Sequence, residues 1–185
     1  MAKIIIGLVG TLASGKGEVK RRLVENYQAE DCRFSTILRD VLNRLSVPVK
    51  RENLQNLSTA LRQLFGEDVL AKAIAHDAAS LKSDIVVIDG IRRLSDIGHL
   101  LPLPNFILIS VDADPQIRFR RLVDRNENVG DDKKTFEQFL EDQKTEADRT
   151  IPEVMKVAKE RINNSGSLED LDRQVDGVVK KYLQQ

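Results

Sequence analysis

Tryptophan is absent from this sequence of 185 residues, aromatic residues make up 4% of it, and there is a single cysteine, Cys32. Each shortage excludes something. Without a series of exposed rings, successive bases of a nucleic-acid single strand have nothing to stack on. One cysteine forbids an internal disulfide framework and a cysteine-based zinc cluster, and a reducing, cytoplasmic compartment is the default expectation. The two histidines, His76 and His99, stand apart from any Cys, His or carboxylate spacing that would hold zinc. Charge of one sign is missing as well: 29 Lys plus Arg balance 29 Asp plus Glu. No overall basic field therefore argues for nucleic acid, and any positive site has to be local. The apolar run at 4–9 is broken by Gly7 and is too short for a signal-peptide core or a membrane span.

What is present is the composition of an ordinary globular protein, 41% hydrophobic and 31% charged, at a length that fits one domain. Three unbroken apolar runs, IIIGLV at 4–9, IVVI at 85–88 and FILISV at 106–111, suit strands buried on both faces of a parallel sheet. Helical periodicity follows the first run at Val19, Leu23 and Tyr27. It returns at Leu54, Leu57, Leu61 and Leu64 before Gly66, and again from Val69 to Leu81. The segment CRFSTILRDVL at 32–42 reads as a short, weak strand running into a helix. Asp112 to Pro115 turn the chain into a basic helix ending near Arg125. Thr135 with Gln138 makes a capping box, and Ser167 with Asp170 opens the last helix. The segment VAKERI at 157–162 is more charged than a central strand tolerates, so a fifth strand there belongs at an edge or is short. The expected fold is α/β, three-layered, with a five-stranded, mainly parallel sheet and helices on both faces. Residues 1–185 form one domain in this reading, with a helical insert at about 36–82 and a short lid at about 126–149.

From Gly10 the chain reads GTLASGKG, which satisfies G-x-x-x-x-G-K after a strand and before a helix. Glycines at 10 and 15 let the backbone turn tightly with its amides inward, so Leu12, Ala13, Ser14 and Gly15 become phosphate-cradling positions. Lys16 adds a point charge for the outer phosphates, and the helix contributes its positive end. The hydroxyl usual at the next position is replaced by Gly17, followed by Glu18. An acidic residue there either complements the helix dipole or binds a magnesium-bound water. Asp89 ends an apolar strand at the carboxyl edge of the sheet, which makes it the candidate for organising Mg2+. It is equally the residue expected to cap a turn with Gly90.

With Gly17 in place, the loop resembles that of the nucleoside monophosphate kinase group of P-loop kinases, adenylate kinase among them. Glu18 in place of their usual Thr is closer to archaeal putative nucleotide kinases. DGIR at 89–92 resembles the Asp-Gly-x-x-Arg segment of adenylate kinases, one residue shorter, which implies that Arg92, or Arg93 in its stead, grips an acceptor phosphate. FSTILRD resembles the segment lining their monophosphate pocket, which implies substrate-binding roles for Thr36 and Arg39. Arg121 and Arg125, at i and i+4 on one helical face with Arg118 nearby, resemble the lid entry, where arginines close on ATP; Arg149 is a candidate return from the lid's far side. The segment INNSGS resembles the loop bordering the adenine, with Asn164, Ser165 and Gly166 on the base side.

These residues imply ATP- and Mg2+-dependent transfer of a γ-phosphoryl group to a small phosphorylated acceptor, a nucleoside or deoxynucleoside monophosphate before others. A dephospho-coenzyme A kinase-like enzyme is the near alternative, with Asp89 or Asp40 as the base its hydroxyl acceptor would need. A nucleotide-binding regulatory ATPase without a small acceptor is the more distant one. Neither a nucleic-acid nor a membrane partner is expected, and nothing in the sequence speaks to oligomeric state.

Overall fold

The computed structural model describes residues 3–126, 131–143 and 149–184. Strand β1 (Ile4–Val9) leads through the glycine loop into helix α1 (Lys16–Tyr27). Strand β2 (Glu30–Arg33) runs directly into α2 (Phe34–Arg44). Helices α3 (Arg51–Phe65) and α4 (Val69–Ser80) complete a long connection to β3 (Ile85–Asp89). A single-turn helix α5 (Leu94–Ile97) precedes β4 (Phe106–Asp112). Helix α6 (Pro115–Arg125), a 3-10 turn at Asp131–Lys133, and helices α7 (Phe136–Asp142) and α8 (Ile151–Lys156) follow. Strand β5 (Glu160–Asn163) and helix α9 (Leu168–Leu183) close the chain.

The helix ends are set by local chemistry. Asp114 caps α6 by accepting from the backbone N–H of Gln116 at 2.8 Å, with Pro115 at the first helical position where its missing N–H costs nothing. At α7 the Thr135 hydroxyl accepts from the Gln138 amide while the Gln138 side chain accepts from the Thr135 amide. Ser167 and Asp170 repeat that arrangement at α9. Helix α3 stops at Gly66, whose φ of 99° a side chain would resist.

The sheet has five strands in the order β2-β3-β1-β4-β5, and all four pairings are parallel. Alternation in the central strands therefore feeds two cores. Ile4, Ile6, Leu8, Val87, Ile107 and Ile109 face Val19 and Leu23 of α1 and Leu171, Val175 and Val179 of α9. Ile5, Val9, Val86, Ile88 and Leu108 face Leu38 of α2, Leu70 and Ile74 of α4, and Ile151 and Val154 of α8. The charged segment before residue 164 is indeed a four-residue edge strand. Its open side is covered by the Gln174 side chain, which accepts from the Asn163 N–H and donates to the Asn163 carbonyl, both at 2.9 Å. That amide satisfies backbone groups that an edge otherwise offers to another chain. Cys32 is buried, and burial, with Asp77 and Asp31 nearby, pushes its thiol up to about 11. Among the described residues no helix is long and apolar enough to cross a membrane.

Because β1 is central and Ile6 has no exposed surface, Ile6→Ala should cost about 2–5 kcal/mol. Urea unfolding measures it, and a loss under about 1 kcal/mol would contradict the packing described.

Candidate active site: a phosphate cradle at the carboxyl edge of the sheet

The loops that follow β1, β3, β4 and β5 all emerge at the carboxyl edge of the sheet, where open α/β sheets carry their ligands. The loop after β1 is pressed against its neighbours. A Cβ on Gly10 would run into the Val111 carbonyl of β4 and lie 2.7 Å from Ser14 Oγ. Ala13 (φ 59°) and Gly15 (φ 94°) both take the left-handed conformation, which folds the chain back so that α1 starts at Lys16 and its positive N-terminal end lies at the loop. A side chain on Gly15 would overlap the Asn164 amide, whose Nδ2 donates to the Ser14 carbonyl at 2.9 Å. Asn164 itself is buried and its backbone N–H donates to the Asp112 carbonyl at 2.7 Å. The β5–α9 loop thus braces the glycine turn.

Three polar groups converge on this turn. Lys16 Nζ donates to the Gly10 carbonyl at 2.7 Å and to the Thr11 carbonyl at 3.2 Å, so its ammonium lies over the loop. Arg121 Nη1 is buried and has no hydrogen-bond partner among the described residues; it stands 3.8 Å from where a Gly15 Cβ would be. Ser14 is fully buried and its Oγ also lacks a partner. A buried guanidinium nitrogen without an acceptor is costly to leave so, and beside a ring of amides it calls for an anion. Gly17 differs from its neighbours, since a Cβ there would meet open space.

The other arginines of α6 divide by role. Arg118 is buried: its Nε donates to the Ala113 carbonyl at 3.0 Å, and its Nη1 reaches the Leu12 carbonyl at 3.3 Å and Gln143 Oε1 at 2.7 Å. It also lies 5.4 Å from the centre of the Phe139 ring. Burial lowers its pKa, with Asp112 and Asp114 opposing; a guanidinium so far above neutrality remains charged. Arg118 therefore ties the glycine loop to α7. Arg125 is exposed at the end of α6 and Arg149 is exposed before α8. Of the expected lid, 127–130 and 144–148 lie outside the described residues.

Glu18 is ion-paired with Arg21 at 2.5 Å and Arg22 at 3.1 Å. The Arg21 hydrogen bond first, then the charges of both arginines, hold its carboxyl below the usual range although burial opposes them. Arg22 also pairs with Asp172, which fastens α1 to α9.

At the end of β3, Asp89 accepts from its neighbour Gly90 N–H at 2.8 Å and from Lys20 Nζ at 3.2 Å. Lys20 also meets Asp31 at 3.3 Å, and Asp31 holds Arg33 at 2.5 Å. Lys20 escaped the sequence reading; its signal was its place one helical turn after Lys16. Among the described residues no group of three His, Cys, Asp or Glu could hold a metal. One carboxylate beside a phosphate loop suits a cation that keeps most of its water and takes further oxygens from a bound phosphate.

On the far side, Thr36 and Arg39 are exposed on α2, three residues apart and so on neighbouring positions of one face. At Gly90 (φ 95°) a Cβ would lie 3.6 Å from Phe34 Cβ at the start of that helix. Arg92 is exposed, whereas Arg93 Nη1 turns to Glu67 at 3.4 Å. A buried pair, Arg62 with Asp96 at 2.6 Å, lies beneath them; its partners are 34 residues apart and no local pattern marks it. On the base side, Ser165 Oγ accepts from Asp114 N–H at 2.9 Å, and Gly166 abuts Asp170. Ser165 borders an open groove of about 620 Å³ between the carboxyl ends of β4 and β5 and helix α8, whose lining includes Asp112, Pro115 and Met155 and none of residues 10–17.

The parallel sheet, the glycine loop and its lysine define the class: a P-loop kinase-like fold. Chains of the same fold include shikimate kinase from Bacteroides thetaiotaomicron, with a TM-score of 0.56 at 14% identity over 98% of this chain and 99% of that one. A gluconokinase from Sinorhizobium meliloti gives 0.57 at 13% identity over 98% and 95%. The chain belongs to the AAA domain family, which it matches over residues 9–140, and to the UPF0200 proteins, the one from Thermococcus gammatolerans being 30% identical over 188 residues, 97% of this chain and 96% of that protein.

The two glycines of the loop separate sharply in a stability test. Gly15→Ala forces a side chain into a left-handed position and against Asn164, and should cost more than about 1–2 kcal/mol. Gly17→Ala, facing open space in a helix, should gain about 0.5–1 kcal/mol. Equal urea midpoints for the two variants would contradict this geometry.

Proposed function

We propose that the chain is a phosphotransferase that moves the γ-phosphoryl group of ATP, with Mg2+, to a small phosphorylated acceptor, a nucleoside or deoxynucleoside monophosphate. The observation that carries this reading is the Gly15 turn with the unpartnered Arg121 Nη1 and the Lys16 ammonium beside it. That arrangement is an anion site with room for no side chain. The amides of residues 12–17 and Lys16 bind the donor phosphates, and Asn164 keeps the turn rigid from behind. Asn164, Ser165 and Gly166 border the base.

Phosphoryl transfer asks the protein mainly to position reactants and neutralise charge as it spreads over the transferred oxygens. Arg121 is already at the loop, and Arg125, one turn further along α6, approaches from the lid side. Arg39 and Arg92 hold the acceptor phosphate, since a planar guanidinium bonds two phosphate oxygens at once, and Thr36 lines the same pocket. Magnesium, when bound, offsets phosphate charge, and Asp89 is the carboxylate that would hold it through water. A monophosphate acceptor is already ionised, so no general base is required. Exclusion of water by the lid protects the transferred group from hydrolysis.

A hydroxyl acceptor is favoured by one specific observation. Asp89 stands at the end of β3 with Lys20 at 3.2 Å, the place where a dephospho-coenzyme A kinase-like reaction would need its general base. A panel of AMP, CMP, GMP, UMP, dTMP and dephospho-coenzyme A with γ-labelled ATP separates the readings. Label is expected in a diphosphate product, and Lys16→Ala should lower turnover by about 10²–10³-fold without unfolding the protein. Label appearing only as inorganic phosphate would refute the kinase reading in favour of a regulatory ATPase.

A further inference from the structure

Arg62 and Asp96 are both more than nine-tenths buried, at 7% and 2% exposure. A buried ion pair is seldom retained for stability alone, because desolvation cancels most of its attraction. What this pair does is visible in its remaining bonds. Asp96 Oδ1 accepts from Arg62 Nη2 at 2.6 Å, which leaves Oδ2 to accept from the backbone N–H of Arg92 and of Arg93, each at 2.9 Å. Arg62 Nη1 meanwhile reaches the Glu67 carbonyl and Ser95 Oγ, the latter at 3.5 Å. On the other side of the same peptide segment, the Arg92 carbonyl accepts from Thr150 Oγ1 at 2.8 Å.

We infer that Asp96, held by Arg62, and Thr150 are positioning residues that fix the Arg92 backbone, and through it the placing of the Arg92 guanidinium on the acceptor phosphate. This inference rests on the acceptor role proposed above for Arg92. The segment after β3 has no hydrogen-bonded ladder of its own beyond Asp89, so its backbone course is set by these side chains. Three links reach this part of the chain from the last turn of α3 and the turn that follows it: Arg62 to Asp96, Arg93 to Glu67 at 3.4 Å, and His99 to Asp68 at 2.6 Å. The segment that carries the acceptor arginine is thereby fastened to the helical insert as well as to the sheet. Thr150 connects it also to the start of α8, where the chain returns from the lid region.

The test is a double-mutant cycle on steady-state kinetics, with ATP and whichever of AMP, CMP, GMP, UMP and dTMP turns over fastest. Asp96→Asn should raise the KM for the monophosphate about tenfold while the KM for ATP changes less than twofold. Arg92→Ala should raise it further, and the combined variant should be no worse than Arg92→Ala, because Asp96 acts only through Arg92. Thr150→Val, a nearly isosteric change at a half-buried position, should repeat the pattern more weakly and decides the matter should Asp96→Asn not fold. Effects that add in the combined variants, or a fall in kcat with unchanged KM for the monophosphate, would overturn the positioning role while leaving Arg92 in place. An unchanged monophosphate KM in Arg92→Ala, or no turnover of any monophosphate, would instead overturn the acceptor reading and this inference with it.

Discussion

The glycine turn at residue 15 is the constraint on which the rest of the site depends. Its left-handed φ and the Asn164 amide lodged where a side chain would go force the loop to close on itself. From that closure follow the start of α1 at Lys16, the Lys16 ammonium folded over the Gly10 and Thr11 carbonyls, and the proximity of Arg121. Four elements meet there: β1 through the loop, β4 through the Val111 carbonyl against Gly10, β5 through Asn164 just beyond it, and α6 through Arg118 on the Leu12 carbonyl. Polar groups that look peripheral in sequence are the braces of one backbone shape.

A chain without net charge achieves this by arranging its ions locally. Carboxylates and cations at the carboxyl edge occur in short linked sets, Asp89 and Asp31 around Lys20, and Asp96 and Glu67 around Arg62 and Arg93. Pairing keeps most of these groups satisfied among themselves. At the glycine loop the Nη1 of Arg121 is buried and unanswered among the described residues. Such local arrangement, within an electrically balanced protein, leaves no broad basic surface of the kind that polyanions bind.

Much of the fold was legible in the sequence, for reasons that are local. Unbroken apolar runs marked β1, β3 and β4 because both faces of those strands are buried. The Thr135–Gln138 and Ser167–Asp170 boxes marked two helix starts because capping needs residues three apart and nothing else. The charge of VAKERI at 157–162 marked a strand that is short and at an edge. Helices α5 and α8 left no comparable trace: at four and six residues they are too short to show a period, and tertiary contacts hold them. In the site, the glycine loop was readable because its chemistry is contiguous. Arg118 was grouped with Arg121 by spacing alone, although one is spent on the Leu12 carbonyl, Gln143 and the Phe139 ring while the other faces the loop. Lys20, Arg62 and Asp96 were invisible because their partners are remote in the chain. Long-range pairing has no sequence period to betray it.

The central claim is that the concavity formed by residues 10–17, and not the groove between β4, β5 and α8, receives the phosphates of a nucleotide. Backbone amide NMR during titration with Mg-ATP tests it directly. The account predicts the largest shifts, moving downfield as phosphate oxygens accept hydrogen bonds, at the amides of Gly15, Lys16 and Gly17, with a side-chain shift at Arg121. Shifts confined to the groove around Pro115, Met155 and Asn163, with the amides of 15–17 unmoved, would contradict it.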